Sequence, residues 1–316
     1  MAILISGSLT YDYILNFPDS FRNHLKLEGE HVLDLNFNVE KVTKSRGGTA
    51  GNIAYTLKLL GADPVLVSAL GNDGNEYLKF LGSQGIETKN VLVDKEGGTA
   101  TAYILTDADN NELTALHVGP LTLTREFSLH NLESKPNLVV VSSTDKETMI
   151  RHLKESAELG VKAVFDPSQQ LENFTEIELK KMISQAYFVI GNDYEIKRLE
   201  EKVGWDTEEM LKNTKVVVIT RGAKGSFILT AEGEEIAAEA CPPLSYDDPA
   251  GAGDAYRAGF FVGFELGYPW KTCAQMGSLA ACYAIEAIGT QTHLFTEEEF
   301  RGRYKKEYNE TITLER

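Results

Sequence analysis

The sequence predicts an α/β fold: a mainly parallel sheet covered on both faces, with a small second β sheet over it as a lid. Three observations lead there. Short unbroken apolar runs at 3–6, 138–142 and 216–220 fit strands buried on both faces, as strands of parallel sheets are. From about residue 138 onward such runs alternate with helical patterns, which is the mark of repeated β–α units. Two stretches, about 13–45 and 97–119, fall out of step with that rhythm and are expected to pair with each other as the lid.

The first strand, 3–6, stops at Gly7, and the loop Gly7-Ser8-Leu9-Thr10-Tyr11-Asp12 follows at its C-terminal end, where open α/β sheets bind ligands. Residues 32–39 alternate apolar and polar and read as a half-exposed strand. Arg46-Gly47-Gly48-Thr49-Ala50-Gly51-Asn52 then enters a helix whose apolar face is Ile53, Ala54, Leu57, Leu59 and Leu60 and whose stop is Gly61. A strand at 64–70, a turn at 71–74 and a helix near 76–81 come next. Two strands, 99–106 and 112–118, flank the turn 107–111 as a hairpin. The regular part begins with strand 138–142 and helix 145–159, whose core face is read as Met149, Ile150, Leu153 and Ala157. Strand 162–166 ends in Asp166-Pro167, and helix 176–184 leads to strand 187–190. A further helix opens at Asn192, and strand 216–220 runs into Arg221-Gly222-Ala223-Lys224-Gly225-Ser226. Strands at 227–229 and 234–239 read as antiparallel edges, and helices at 254–267, 270–287 and 296–308 close the chain.

Composition limits what such a chain can do. Its 316 residues are 42% hydrophobic and 25% charged, and no repeat or linker marks a second unit, so 1–316 is expected to be a single domain. A formal net charge of −16 argues against nucleic acid as a partner but not against a small phosphorylated ligand. Cys241, Cys273 and Cys282 are widely spaced without a Cys-x-x-Cys pair, which suggests neither a disulfide framework nor a zinc site; Cys273 and Cys282 read as core. The first residues lack a basic leader and read as a strand, and no apolar run reaches membrane-spanning length; a cytoplasmic enzyme is expected.

The chemistry concentrates at Asp248-Pro249-Ala250-Gly251-Ala252-Gly253-Asp254. Very small residues at a helix start present bare N–H groups where the helix dipole attracts anions. Asp254 beside such an anion site is unfavourable by charge alone. It is either a helix cap or a base that takes the proton of a hydroxyl attacking a phosphate. Several nucleotide signatures are absent: no glycine is followed by lysine, no Gly-x-Gly-x-x-Gly follows the first strand, and neither His-Arg-Asp nor Asp-Phe-Gly occurs.

Four motifs remain: Gly47-Gly48-x-x-x-Asn52, Asn192-x-x-Glu195, Thr220-x-Gly222-x-x-Gly225 and Asp248-x-x-Gly251-Ala252-Gly253-Asp254. In this order and spacing they resemble the ribokinase-like carbohydrate and nucleoside kinases, the PfkB family, over nearly the whole chain. The resemblance implies a ribokinase-like three-layer αβα sandwich with a doubly wound sheet and a small β lid. It also implies Asp254 as catalytic base, with the N–H groups of Gly251, Ala252 and Gly253 holding the γ-phosphate of ATP. Thr220, Gly222, Gly225 and Gly253 would surround the nucleotide phosphates, while Asn192 and Glu195, one helical turn apart, would order Mg²⁺ largely through water. Ser8, Asp12, Gly47, Gly48 and Asn52 would take the acceptor. A carboxylate suits a pair of neighbouring hydroxyls, a side-chain amide can bond vicinal hydroxyls, and glycines let a polyol approach the backbone. One departure is Pro249, where the family carries threonine. Asp248 and the Ala250 carbonyl could supply ligands to K⁺, but the proline removes a hydroxyl and a backbone donor there.

Within the family the chain looks most like bacterial adenosine-kinase-like members, on Phe37-Asn38-Val39, Asp166-Pro167-Ser168-Gln169-Gln170, Asp254-Ala255-Tyr256-Arg257-Ala258-Gly259 and Glu286-Ala287-Ile288-Gly289-Thr290-Gln291. The acceptor expected is therefore a nucleoside, adenosine first, with Phe37 and Tyr103 of the lid as walls for its base or as lid packing. A free furanose sugar and a catalytically silent nucleoside sensor are the other readings. A lid sheet with open edges could also pair with a second copy.

Overall fold

The computed structural model describes residues 1–24, 36–109 and 111–315. The chain opens with β1 (Ala2–Ser6), β2 (Thr10–Asn16), α1 (Phe21–His24) and β3 (Lys41–Gly47). Next come α2 (Thr49–Leu59), β4 (Asp63–Leu70), α3 (Asn75–Ser83), β5 (Val91–Val93), β6 (Thr101–Thr106) and β7 (Glu112–His117). The alternating part is β8 (Leu138–Val141), α4 (Lys146–Glu158), β9 (Lys162–Phe165), α5 (Glu176–Gln185), β10 (Phe188–Asn192), α6 (Asp193–Val203), α7 (Thr207–Leu211) and β11 (Val216–Thr220). It closes with β12 (Ser226–Thr230), β13 (Glu235–Ala238), α8 (Ala252–Glu265), α9 (Trp270–Ile285) and α10 (Glu297–Tyr308).

Nine strands form the main sheet in the order β13-β12-β11-β10-β9-β8-β1-β4-β5. β1 lies between β4 and β8, parallel to both, with Ile3 opposite Pro64 on one side and Leu138 on the other. Only the edge pairs β11–β12 and β12–β13 are antiparallel. The pleat sends alternate side chains to opposite faces, and that builds three layers. Ile3, Ile5, Val140, Phe188, Val216 and Val218 join the core under α2, α3, α8, α9 and α10. Leu4, Val139, Val141, Val189 and Val217 join a second core under α4 to α7. Local chemistry fixes the helix starts: Asp145, Thr175, Asn192 and Thr296 each accept a backbone N–H three residues on.

The lid is a separate four-stranded sheet, β3-β2-β6-β7, in which β2 pairs parallel with β6 and the other pairs are antiparallel. It begins at Thr10, not 13, so Asp12 sits on a lid strand and not in the loop expected for it. Of the strand expected at 32–39, residues 36–39 carry no regular structure and 32–35 lie outside the described residues, as does Asn110 of the hairpin turn. The core face of α4 was expected to include Ala157. Ala157 is exposed, and His152 and Ser156 are buried instead, their polar atoms bonded to Ser6 Oγ and to the His152 carbonyl. β5 and α7, at three and five residues, are too short to give a periodic signal. No helix among the described residues is long and apolar enough to cross a membrane.

Helices α8 and α9 approach each other through glycines. A Cβ on Gly259 would lie 2.5 Å from the Met276 carbonyl oxygen, and one on Gly277 would lie 2.8 Å from that of Tyr256. Backbone cannot yield as a flexible side chain would, so Gly259→Val should destabilise the fold by about 3 kcal/mol through overpacking. Urea denaturation measures this; an unchanged midpoint would show that the helices can slide apart.

Candidate active site

The start of α8 separates two cavities. Gly251 precedes the helix with φ of 76°, and no side chain caps the exposed N–H groups. Asp248 braces the loop from behind: its Oδ1 accepts the Ala250 N–H at 2.9 Å and its Oδ2 accepts the Gly289 N–H at 3.0 Å. The Ala252 N–H, expected to face a phosphate, instead donates to the Pro249 carbonyl at 3.2 Å. One cavity, of about 350 Å³, reaches Ala250, Gly251 and Asp254. The other, of about 270 Å³, reaches Pro249, Ala252 and Gly253.

Asp254 is half-buried, and burial pushes its pKa up to about 6, against the opposing pull of Arg257 and the hydrogen bond from Asn52, with Asp166 and Glu195 adding to the rise. Asn52 Nδ2 donates to Asp254 Oδ2 at 2.8 Å. Asn52 was expected to turn its amide toward vicinal hydroxyls. Its Oδ1 is already taken by Gln291 Nε2 at 2.9 Å, so the amide chiefly orients Asp254. Gln291 Nε2 also lies 2.5 Å from the Tyr77 hydroxyl, which donates to the Gly47 carbonyl at 2.8 Å. Arg257 meets Asp166 through Nη2–Oδ1 and Nε–Oδ2 contacts of 2.7 Å and donates from Nη1 to the Gly253 carbonyl at 3.0 Å.

The larger cavity gathers Ser8, Asp12, Gly48, Asn52 and Asp254 as expected. Thr10 Oγ1 donates to Asp12 Oδ1 at 3.0 Å, and burial raises the Asp12 pKa. Gly47 does not line the cavity but makes room for it, since a Cβ there would lie 2.1 Å from Asp12 Oδ2. Gly48 needs its glycine twice over: φ is 90°, and a Cβ would meet the Ser8 carbonyl oxygen at 2.4 Å. Ser8 Oγ accepts the Thr49 N–H at 3.3 Å. Phe37 and Tyr103 are elsewhere. Phe37 packs edge-on against Phe17 and Phe21, and Tyr103 stacks on Tyr13 at 5.4 Å on the outer face of the lid. The strand pleat is the reason: Ala102 and Ile104, one residue either side of Tyr103, face the cavity, with Leu116 and Val118 beside them.

Thr220, Gly222, Gly225 and Gly253 line the smaller cavity together, with Cys241, Tyr246, Tyr256, Cys282 and Ile285 as a mainly apolar wall. The Arg221 N–H closes the loop on the Gly225 carbonyl at 2.8 Å. Asn192 and Glu195 line neither cavity. They form a reciprocal cap on α6, Asn192 Oδ1 accepting the Glu195 N–H and Glu195 Oε2 accepting the Asn192 N–H, each at 2.8 Å. Burial raises the Glu195 pKa, and Asp166 raises it further. Among the described residues no three His, Cys, Asp or Glu side chains converge as a metal site. Arg257, Asp166 and Gln291 were not assigned from sequence, although Asp166-Pro167 at a strand end and Gln291 after Gly289-Thr290 were conspicuous; their roles need partners distant in the chain.

Residues 15–297 match the model of the pfkB family carbohydrate kinases. The chain is 30% identical to a nucleoside kinase of Methanocaldococcus jannaschii over 292 residues, 88% of this chain and 95% of that one. It is 29% identical to an ATP-dependent ribose-1-phosphate kinase of Halopiger xanaduensis over 240 residues, 71% of this chain and 75% of that one. The structure of Burkholderia thailandensis nucleoside kinase in complex with inosine matches with a TM-score of 0.90 at 32% identity, covering 99% of this chain and 100% of that one.

The raised pKa of Asp254 also bears on stability. The folded chain holds this proton more tightly than the unfolded one, so ionisation costs stability: nothing below the unfolded pKa near 4, the full amount above about 6. Asp254→Asn should therefore stabilise the protein at pH 8 by about 1–3 kcal/mol, and the gain should vanish by about pH 4. Urea midpoints at the two pH values check this; a variant no more stable at pH 8 would show that the ionised carboxylate is well solvated.

Proposed function

Because the chain belongs to the pfkB family of carbohydrate kinases, phosphotransferases with an alcohol acceptor, we propose that it transfers the γ-phosphate of ATP to the 5′-hydroxyl of a nucleoside, adenosine first. The observation that carries this reading is the shared wall: one loop, Pro249 to Asp254, borders both cavities, and the half-buried carboxylate stands on it. The acceptor occupies the larger cavity. Its ribose hydroxyls donate to Asp12, whose half-buried carboxylate gains from donors. The base lies against Ile104 and Leu116, an apolar wall that suits a nucleobase better than a free sugar. The relative bound to inosine supports a purine; the ribose-1-phosphate kinase keeps a furanose sugar as the second reading.

Asp254, held by Asn52, takes the proton of the attacking hydroxyl, and the Gly251 and Gly253 N–H groups at the start of α8 meet the transferring phosphoryl group. With a loose transition state, placement matters more than base strength, so a carboxylate titrating about pH 6 suffices. The nucleotide lies in the smaller cavity, its phosphates on Thr220, Gly222, Gly225 and Gly253. The half-buried carboxylate of Glu195, beside Asn192, would hold a hydrated Mg²⁺ through water. When bound, Mg²⁺ neutralises charge on the transferring phosphates. Each Asp248 oxygen accepts a backbone amide, so Asp248 acts first as a brace of the loop, and a K⁺ there would share that carboxylate and take the Ala250 carbonyl. Residues 1–316 work as one kinase domain whose lid strands close over the acceptor. The outer lid face, with Tyr103 49% and Leu113 45% exposed, offers a second copy a dimer surface. Drawing on ATP, the enzyme works in the cytoplasm.

A coupled ADP-release assay over adenosine, inosine, guanosine, cytidine, ribose and fructose tests the substrate, and a sugar outperforming every nucleoside would overturn it. In the same assay kcat/KM should rise with pH through an inflection at about 6, as Asp254 loses its proton. Asp254→Asn should lower turnover roughly 10²–10⁴-fold while nucleoside binding stays near normal; full turnover would remove Asp254 as base.

The lid geometry makes a separate prediction. Ile104→Ala should raise the nucleoside KM about tenfold and leave that of ribose unchanged, whereas Tyr103→Ala should move neither. Equal losses for nucleoside and ribose in Ile104→Ala would mean that the wall does not hold the base.

A further inference from the structure

Two of the three cysteines, distant in sequence, meet at the wall of the smaller cavity. Cys241 follows β13 and Cys282 lies on α9, and both border the cavity of about 270 Å³. The helix grips Cys241 from both sides of its backbone. Ser278 Oγ accepts the Cys241 N–H at 2.7 Å, and the Cys282 thiol donates to the Cys241 carbonyl at 2.8 Å. Ser278 and Cys282 are four residues apart and share a helix face, so this grip fixes Cys241 against the turn that carries Cys282. Arg303, itself paired with Glu286, donates to the neighbouring Pro242 carbonyl at 3.4 Å and brings positive charge to the pair. The thiol of Cys282 and this arginine both favour a thiolate at Cys241, whose pKa is lowered, while that of Cys282 is raised. Cys273 differs: it bonds the Tyr268 carbonyl within the core, and burial pushes its pKa to about 12. Nothing in phosphoryl transfer uses any of these thiols.

We propose that Cys241 and Cys282 are an oxidisable dithiol in the wall of the nucleotide cavity, closed to a disulfide by a peroxide, and that closure weakens nucleotide binding. The Cys241 thiolate attacks one peroxide oxygen, the O–O bond breaks, and a sulfenic acid forms while the departing hydroxide takes up the proton that the Cys241 thiol had shed and leaves as water. The sulfur of Cys282 then displaces hydroxide from that sulfenic acid, its proton leaving with it as the second water. Two thiols have given two electrons to one peroxide. To make the bond, Cys282 must release the Cys241 carbonyl and both side chains must turn, which reshapes the wall that meets the nucleotide. The effect on the nucleotide rests on the assignment of this cavity made above; the disulfide itself does not.

The test treats the full-length, reduced protein with hydrogen peroxide and maps the digest without reductant. A peptide pair joined through Cys241 and Cys282 is expected, lighter by two hydrogens, reversed by dithiothreitol and formed more slowly when ADP is present. The treated enzyme should show a KM for ATP raised about tenfold and a KM for the nucleoside unchanged. Cys241→Ser and Cys282→Ser should each abolish the response to peroxide, and Cys273→Ser should keep it. Recovering Cys241 and Cys282 unlinked, or finding the linked enzyme with the ATP KM of the reduced one, would overturn the proposal. Calorimetry of ADP with the reduced protein stands apart, since absent binding would remove the nucleotide assignment and leave the disulfide to the peptide map.

Discussion

Arg257 leaves the second turn of α8 and meets Asp166, at the end of β9, through two contacts of 2.7 Å with both side chains almost wholly out of solvent. Three carboxylates, Asp166, Glu195 and Asp254, lie near enough for their charges to act on one another, next to the uncapped start of α8. Without a cation among them the cluster would repel itself and any anionic ligand. The guanidinium supplies that cation, and its third contact, to the Gly253 carbonyl, ties the first turn of α8 to the sheet. Truncating one partner of such a buried pair typically costs about 3–5 kcal/mol, because the other charge is left uncompensated. Structure and site electrostatics therefore depend on the same contact.

That contact also explains how one short loop can serve two cavities. Asp248 holds the loop's beginning to the 286–291 segment and Arg257 holds its end to β9. From the lid side Asn52, Gln291 and Tyr77 form a chain of hydrogen bonds from the Gly47 carbonyl to Asp254. Asp254 is thus oriented by groups from α2, α3 and the chain after α9, so the larger cavity and the Asp254 carboxylate are set by one network.

Much of the fold was legible because its signals are local. Apolar runs gave the parallel strands, Gly61 marked a helix stop, and the turn 107–111 gave the lid hairpin. The misses have physical reasons. β5 and α7, at three and five residues, end before any period can repeat twice. Phe37 and Tyr103 were credible base walls by residue type, but a strand turns successive residues to opposite faces, and Tyr103 falls on the outward one while Ile104 falls inward. Asn192 and Glu195 were rightly read as neighbours one turn apart, yet much of their bonding capacity goes to capping α6.

By itself, the sequence determined the class of fold, the helix start at Gly251 to Asp254 and the glycines that make close approach possible, since these follow from backbone freedom and periodicity along the chain. Only the tertiary structure decided what surrounds each group. It gave Asp254 its burial and its raised pKa, committed Asn52 to Asp254, paired Arg257 with Asp166 and set Cys241 against Cys282. Charge, desolvation and hydrogen bonding are properties of neighbours in space. In a sheet whose adjacent strands are far apart in sequence, those neighbours leave no local trace.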